Sequence, residues 1–263
     1  MTDFIEFGGG KRLAIHRVGT GSKYLLVWPG FDSGPDAFLK LGRLIEHHYT
    51  TLVIDLPYHG ATKWPTSSYS VTDVDELFRK IIDHYQLKQF RLLGYSLGAR
   101  LLLKILPGYL VNYPQQIVGL DLLAPYGITG HRTQPLEWVP DPIVKLLAKG
   151  AQSPKLLRGV LRSFQWAGII ENWSYRHLMR SLRDKAGQTR IAGTLMSLPN
   201  FKITQRERDS LGKLSSVRII IGKRDSLMNP DLIAARLGAP MSKWLVFHEG
   251  GHEVPVQFLA HLL

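Results

Sequence analysis

The 263-residue chain reads as an α/β protein, with a mostly parallel central sheet flanked by helices and a helical segment inserted late in the sheet. Three observations predict this. Short apolar runs rich in Val, Ile and Leu alternate with stretches of helical spacing, as parallel strands joined by crossover helices require. The rhythm lapses between about residues 128 and 200, where helical spacing recurs without a strand-like run. The pentapeptide Gly94-Tyr95-Ser96-Leu97-Gly98 stands between a strand-like run and a helix-like one.

The elements follow in order. Phe4 to Phe7 and Leu13 to Val18 alternate well enough for an opening hairpin turned at Gly8-Gly9-Gly10. Tyr24 to Trp28 is the next strand. Phe38, Leu41, Leu44 and Ile45 place a helix over Asp36 to His48. Leu52-Val53-Ile54 is a buried strand, and Val71 to Tyr85 is a helix capped by Thr72 or Asp73. Phe90 to Leu93 is a strand, and Leu97 to Leu106 is a helix that Pro107-Gly108 stops. Ile117 to Leu123, Val217 to Ile221 and Lys243 to Phe247 complete the strands.

Within the lapse, helical spacing covers Ile143 to Leu147, Leu156 to Phe164, Tyr175 to Leu182 and Ile191 to Leu198. The predicted organisation is a core of residues 1–127 and 201–263 interrupted by a helical insertion, 128–200. No internal repeat or low-complexity stretch appears.

The pentapeptide carries the chemistry. Strand, sharp turn and helix are the context that makes G-x-S-x-G a nucleophile elbow. Helix and strand approach closely there, so the flanking residues need little bulk. The turn lifts the Ser96 hydroxyl above the sheet and aims the Leu97 N–H, at a helix N-terminus, toward the same point. A serine hydroxyl needs a base, and the base needs an orienting acid. Asp225 lies just past the strand Val217–Ile221, and His252 follows the last strand in His248-Glu249-Gly250-Gly251-His252. The order Ser96, Asp225, His252 is the one expected for this elbow. Asp121, inside a strand, is the weaker candidate acid, and His248 reads as a packed residue.

On these residues the chain is identified as a member of the α/β-hydrolase superfamily. Trp28-Pro29-Gly30-Phe31, Asp55-Leu56-Pro57-Tyr58-His59-Gly60, Gly94-Tyr95-Ser96-Leu97-Gly98, Gly222-Lys223-Arg224-Asp225 and Gly250-Gly251-His252 occur in the family's order. The resemblance covers nearly the whole chain. It implies an α/β-hydrolase fold with Ser96 as nucleophile, His252 as general base and Asp225 as acid. It also implies an oxyanion hole made by the backbone N–H groups of Phe31 and Leu97. Pro29 departs from the family, which usually has histidine there; a backbone donor does not depend on that side chain. Asp55 and His59-Gly60 resemble a structural loop of the family. A serine at 96, where some relatives carry aspartate, argues against carboxylate-nucleophile chemistry.

By position, the insertion matches the cap, or lid, that many relatives carry over the serine. Trp138, Phe164, Trp166, Trp173, Tyr175 and Met179 are candidates for lining it; the competing reading packs them between cap and core. Gly-Tyr-Ser-Leu-Gly-Ala-Arg is also similar to the elbow of the menaquinone-pathway succinyl-hydroxycyclohexadiene-carboxylate synthase, a lyase that eliminates pyruvate. That similarity makes Arg100 a candidate for holding a substrate carboxylate, with Arg132 or Arg176 joining it; the alternative is an internal salt bridge.

Composition sets the bounds. With 44% hydrophobic and 21% charged residues the chain is ordinary globular protein. Its lack of cysteine excludes disulfides, thiolate nucleophiles and cysteine metal sites. His47-His48 and Asp73-x-Asp75-Glu76 read as a helix surface and a helix N-terminus, so neither a metal nor a cofactor is expected. Met1 to Glu6 lack the pattern of a signal peptide, and no apolar run approaches the ~20 residues of a transmembrane span, so a cytoplasmic protein is expected.

The formal net charge is +12. Between Thr129 and Asn200 eleven lysines and arginines face four acidic residues, so over half the excess lies in the insertion. This suits an anionic substrate, an acidic carrier protein or an anionic surface, or else simply a solvated face. Nucleic-acid binding is not expected, because no recognition motif or aromatic stacking platform accompanies the charge.

Three functions follow. The first is a serine hydrolase cleaving a carboxylic ester through an acyl-enzyme on Ser96. The second is a cofactor-free lyase acting on a carboxylated substrate. The third is a small-molecule binding protein that keeps the triad without turnover.

Overall fold

Among the described residues, eight strands form one sheet: β1 (Thr2–Glu6), β2 (Arg12–Val18), β3 (Lys23–Trp28), β4 (Tyr49–Ile54), β5 (Phe90–Tyr95), β6 (Ile117–Leu123), β7 (Val217–Gly222) and β8 (Leu245–His248). The computed structural model describes residues 1–128, 140–150, 154–166, 172–225 and 228–263. The strand order is β1-β2-β4-β3-β5-β6-β7-β8. β1 and β2 pair antiparallel, β2 joins β4 antiparallel, and every other pairing is parallel.

The central strands are apolar on both faces because both are covered. Leu26, Trp28, Leu92, Leu120, Leu122, Ile219 and Ile221 belong to one core cluster. That cluster includes apolar residues of α2 (Val71–His84), α3 (Leu97–Asn112) and α9 (Pro230–Ser242). Leu25, Val27, Val53, Leu93, Leu123 and Ile220 belong to the other, together with Phe38 and Leu41 of α1 (Asp36–Leu44) and Leu259 of α10 (Val256–Leu262). Alternate residues of one strand thus feed opposite faces.

The chain runs from β3 outward to β4, then returns to place β5 on the other side of β3. α1 leaves β3 toward one face, and α3 leaves β5 toward the other. Connections that diverge from neighbouring strands leave a crevice at their carboxyl ends, the usual binding position of open α/β sheets.

Among the described residues, β6 is followed by the helices α4 (Asp141–Gly150), α5 (Pro154–Trp166), α6 (Asn172–Ser181) and α7 (Lys185–Ser197). They share a separate apolar cluster of Leu147, Leu157, Leu161, Leu182 and Ile191. The short helix α8 (Gln205–Ser210) follows, before β7.

Three local expectations are corrected. The α2 cap is Ser70, whose Oγ accepts from the Asp73 amide; Asp73 is the third helical residue and completes a capping box. α1 stops at Leu44, because the Ile45 carbonyl accepts from the amides of His48 and Tyr49 as the chain turns into β4. α3 runs through Pro107 to Asn112. The turn beyond Pro107 buries Tyr109 and Leu110, and Tyr109 packs edge-on against Phe78 at 4.8 Å. That burial outweighs the lost helical hydrogen bond.

Asp121 has a structural place. It is 1% exposed in β6, and its carboxylate takes Arg91 Nε at 2.6 Å and Arg218 Nε at 2.5 Å. Neutralising the carboxylate and replacing one of its oxygens with an NH2 group leaves two guanidinium groups without their counter-charge. Asp121→Asn is therefore expected to lower unfolding free energy in urea by about 3 kcal/mol. A loss below about 1 kcal/mol would show that the Arg91–Asp121–Arg218 cluster is not structural.

Candidate active site

The site collects at the carboxyl ends of the parallel strands. Five non-glycine residues have positive φ among the described residues, and four of them follow β3, β4, β5 and β6: Asp32, Tyr58, Ser96 and Ala124. Strained backbone of this kind persists where surrounding contacts over-determine it.

Ser96 sits between β5 and α3 with φ 47° and ψ −106°. Its amide donates to Leu123 O of β6 at 2.9 Å, so the sheet's hydrogen bonding runs right up to the turn. The glycines on either side are sterically required. A Cβ on Gly94 would lie 2.7 Å from Ala99 Cα, and one on Gly98 would lie 2.1 Å from Trp28 O. The second contact also sets the loop after β3 against the first turn of α3. Phe31 lies on that loop and Leu97 opens that turn, so the two amides assigned to the oxyanion hole come from adjoining segments.

Asp225 and His252 are brought together from loops after β7 and β8. His252 Nδ1 lies 2.9 Å from Asp225 Oδ2, and Asp225 Oδ1 accepts the Met228 amide at 3.0 Å. A carboxylate only accepts, so Nδ1 carries the proton and Nε2 holds the lone pair that a general base uses. Asp225 is 3% exposed. The two loops are tied to each other: Lys223 N–H donates to His248 O at 2.8 Å, and Arg224 N–H donates to Gly250 O at 3.0 Å. The His252 ring lies 5.5 Å from that of Tyr95, the residue before Ser96.

The surrounding histidines are neutral and packed. His248 is buried, and its Nδ1 accepts the Gly250 amide at 3.0 Å; burial lowers its pKa. His59 is likewise buried, and loss of solvation pushes its pKa down to about 4. Its Nδ1 lies 2.8 Å from Pro57 O, and its Nε2 accepts the Asp32 amide at 3.1 Å. The neutral ring thus braces the loop that carries Phe31, whose ring meets it edge-on at 5.7 Å. Asp55 holds the neighbouring turn through the Ala61 amide at 2.8 Å and His16 Nε2 at 3.1 Å.

The remaining expectations fare differently. Arg100 is 4% exposed; its Nε donates to Phe201 O at 2.8 Å, and its guanidinium lies 5.5 Å from the Tyr126 ring centre. The first contact ties α3 to the chain after α7, and the second sets it against the chain after β6. Trp166 is 92% exposed at the end of α5, so it faces solvent instead of lining an interior wall. Tyr175 and Met179 pack on the apolar cluster of the four helices. Arg176 is exposed. Trp138 and Arg132, and the side chains of Phe164 and Trp173, lie outside the described residues.

The sequence reading passed over Asp32, Ser181 and Arg190. The Asp32 carboxylate accepts from Ser181 Oγ of α6 and pairs with Arg190 of α7. No local pattern signals this, because these partners are about 150 residues away in the chain. Among the described residues no cluster of three His, Cys, Asp or Glu side chains is placed to hold a metal ion, and no helix is long and apolar enough to cross a membrane.

The fold and this arrangement define a hydrolase-type α/β protein. The chain belongs to the α/β-hydrolase fold family, whose family model matches residues 23–257. Among curated proteins it is similar to the 2-succinyl-6-hydroxy-2,4-cyclohexadiene-1-carboxylate synthase of Escherichia coli O8 (strain IAI1), 34% identical over 80 residues, which are 30% of this chain and 31% of that one. It is similar also to the uncharacterized hydrolase YugF of Bacillus subtilis (strain 168), 32% identical over 87 residues, 33% of this chain and 32% of that one. The matched segment therefore spans about a third of the length of these curated relatives.

Solved structures agree in fold over the whole chain. An esterase from Exiguobacterium antarcticum has a TM-score of 0.66 at 20% identity, covering 100% of this chain and 96% of that one. A thermophilic esterase from Thermogutta terrifontis has a TM-score of 0.67 at 17% identity, covering 100% and 95%.

The depressed pKa of His59 has a consequence for stability. Unfolded, the ring titrates near 6.5; folded, near 4. Between those values the unfolded chain binds the extra proton, so stability rises with pH across this window and is lost as pH falls. Going from pH 7 to pH 5 is expected to cost the native chain about 2 kcal/mol more than it costs His59→Asn, read from urea unfolding. Equal losses in the two proteins would mean that His59 is not held neutral.

Proposed function

We propose that the protein is a serine hydrolase that cleaves a carboxylic ester, or a related acyl bond, through an acyl-enzyme on Ser96. The observation that carries this reading is the pair formed by buried Asp225 and His252 at 2.9 Å, set beyond the same carboxyl ends of the strands as the strained Ser96 turn. The resemblance of the fold to esterases supports it.

In this mechanism His252 Nε2 takes the Ser96 proton as Oγ attacks the carbonyl carbon. Charge develops on the carbonyl oxygen, which the Phe31 and Leu97 amides hold. Asp225 stabilises the imidazolium and keeps the ring oriented. His252 then gives its proton to the leaving alcohol. Water, deprotonated by His252, attacks the acyl-enzyme and releases the acid, and Ser96 regains its proton.

The four helices α4–α7 act as a cap whose inner wall selects the acyl group, while the core supplies the chemistry. Exposed Lys145, Lys149, Lys155, Arg158, Arg162 and Arg180 give the cap an outward basic face. That face favours substrates that carry negative charge or are presented by an acidic carrier or an anionic surface.

A second reading is a lyase acting on a carboxylated substrate, with Ser96 and His252 relaying a proton and no acyl-enzyme forming. The 34% identity to the synthase over 80 residues favours it. The burial of Arg100 against Phe201 O weighs against that residue as its carboxylate anchor.

Hydrolysis of p-nitrophenyl esters of increasing acyl length is the direct test. Ser96→Ala is expected to abolish turnover in a folded protein, and Asp225→Asn to lower kcat by up to roughly 10⁴. Full activity in Ser96→Ala would remove the mechanism, and absence of turnover on every ester would favour the lyase. The basic face makes a separate prediction. Raising ionic strength from about 0.01 M to 0.15 M should lower kcat/KM several-fold for an anionic ester and leave that for a neutral ester unchanged. Equal responses would deny the charge a steering role.

A further inference from the structure

One face of α7 meets the loops that frame the site. Arg190, Gly193 and Ser197 are spaced at i, i+3 and i+7, so they lie along a single stripe of the helix. Arg190 pairs with the Asp32 carboxylate. Gly193 lies against the Tyr58 ring so closely that a Cβ there would fall 2.2 Å from Cε2. Ser197 Oγ accepts the Tyr69 amide at 2.8 Å. Of these contacts, the one at Asp32 touches the loop assigned to the oxyanion hole.

Asp32 is held from two directions. From the core, His59 Nε2 accepts its amide. From the four-helix insertion, Ser181 and Arg190 take its carboxylate. Its φ is 55°, in the left-handed region that a residue with a Cβ adopts only at a cost. Such a turn holds its shape only while its contacts do. Arg190 Nε is buried with no hydrogen-bond partner, so the Asp32 pair is a main compensation for burying that guanidinium. Phe31, next in the chain, packs on both the core cluster and the cluster of the insertion.

We propose that Asp32 is a positioning residue that couples docking of the helical insertion to the geometry of the Phe31 amide. With Arg190 and Ser181 on its carboxylate, Asp32 is fixed, and through it the adjoining Phe31, whose own N–H completes the oxyanion hole. When α6 and α7 move away to admit substrate, the turn loses two of its anchors and the Phe31 donor loses its aim. Chemistry thus waits for closure, a gating role common to lids. The proposal rests on the hydrolase reading for its catalytic consequence, but the coupling itself does not.

Two variants test it. Asp32→Asn keeps a side chain that tolerates positive φ but removes the charge that Arg190 meets. Arg190→Gln removes the pair from the insertion's side. Each is expected to lower kcat for a short p-nitrophenyl ester about tenfold with KM little changed, because an oxyanion donor acts in the transition state. The double variant should lose no more than either single one, since one interaction is broken in all three. Arg190→Lys should recover part of the loss. A purely structural role would lower the melting temperature and leave kcat per folded molecule unchanged, and that result overturns the proposal.

Hydrogen exchange supplies a readout that needs no substrate. Arg190→Gln should speed exchange at the Asp32 amide at least fivefold, while amides of Leu26 and Val27 in β3 keep their rates. Unchanged exchange at Asp32 would refute the coupling. Faster exchange in a protein that turns over no ester would sustain the coupling and remove the hydrolase reading instead.

Discussion

The contact between the first turn of α3 and the loop after β3 is the constraint on which the site depends. Gly98 lies directly beneath the carbonyls of Trp28 and Pro29, with no space for even a methyl group. That closeness lets α3 begin one residue after β5, gives Ser96 its strained backbone, and sets the Leu97 amide beside the segment that carries Phe31. It is available at this point of the sheet because β3 and β5 are neighbours whose following helices cover opposite faces. The crevice is therefore a product of topology, and the glycines allow the chain to exploit it.

Around this contact the polar groups fall into two kinds. Asp225 and His252 are paired with each other just beyond the strand ends. Asp121, Asp55 and His59 hold the framework: one neutralises two arginines inside the sheet, one ties a turn to β2, and one braces the loop after β3. The same residue types serve both ends, and only their surroundings separate them. Asp32 stands between the kinds, because its amide belongs to the framework and its carboxylate reaches the insertion.

Much of this was legible in the amino-acid sequence. The central strands are continuous apolar runs bounded by turns, and the elbow has its own spacing, so β3 to β8 and the place of Ser96 could be read directly. Asp225 and His252 were legible because each lies within a few residues of a strand end. The extension of α3 past Pro107 was not, because it is decided by Tyr109 packing on Phe78 rather than by local preference. Helices α8, α9 and α10 also escaped notice. The first and last are only 6 and 7 residues long, and α9 contains Gly238 and Pro240, residue types of low helical propensity. The Asp32–Arg190 pair joins positions far apart in the chain and leaves no periodic trace.

The central claim is that Ser96 is a nucleophile activated by the His252–Asp225 pair. Its most direct test is covalent capture. The protein is incubated at neutral pH with an activated alkyl phosphonate bearing a p-nitrophenyl leaving group, and the labelled site is found by intact-mass and peptide mass spectrometry. The account predicts one adduct per chain, on the peptide that carries Ser96, formed far more slowly in His252→Ala. No adduct, or an adduct on another residue with Ser96 untouched, would contradict it.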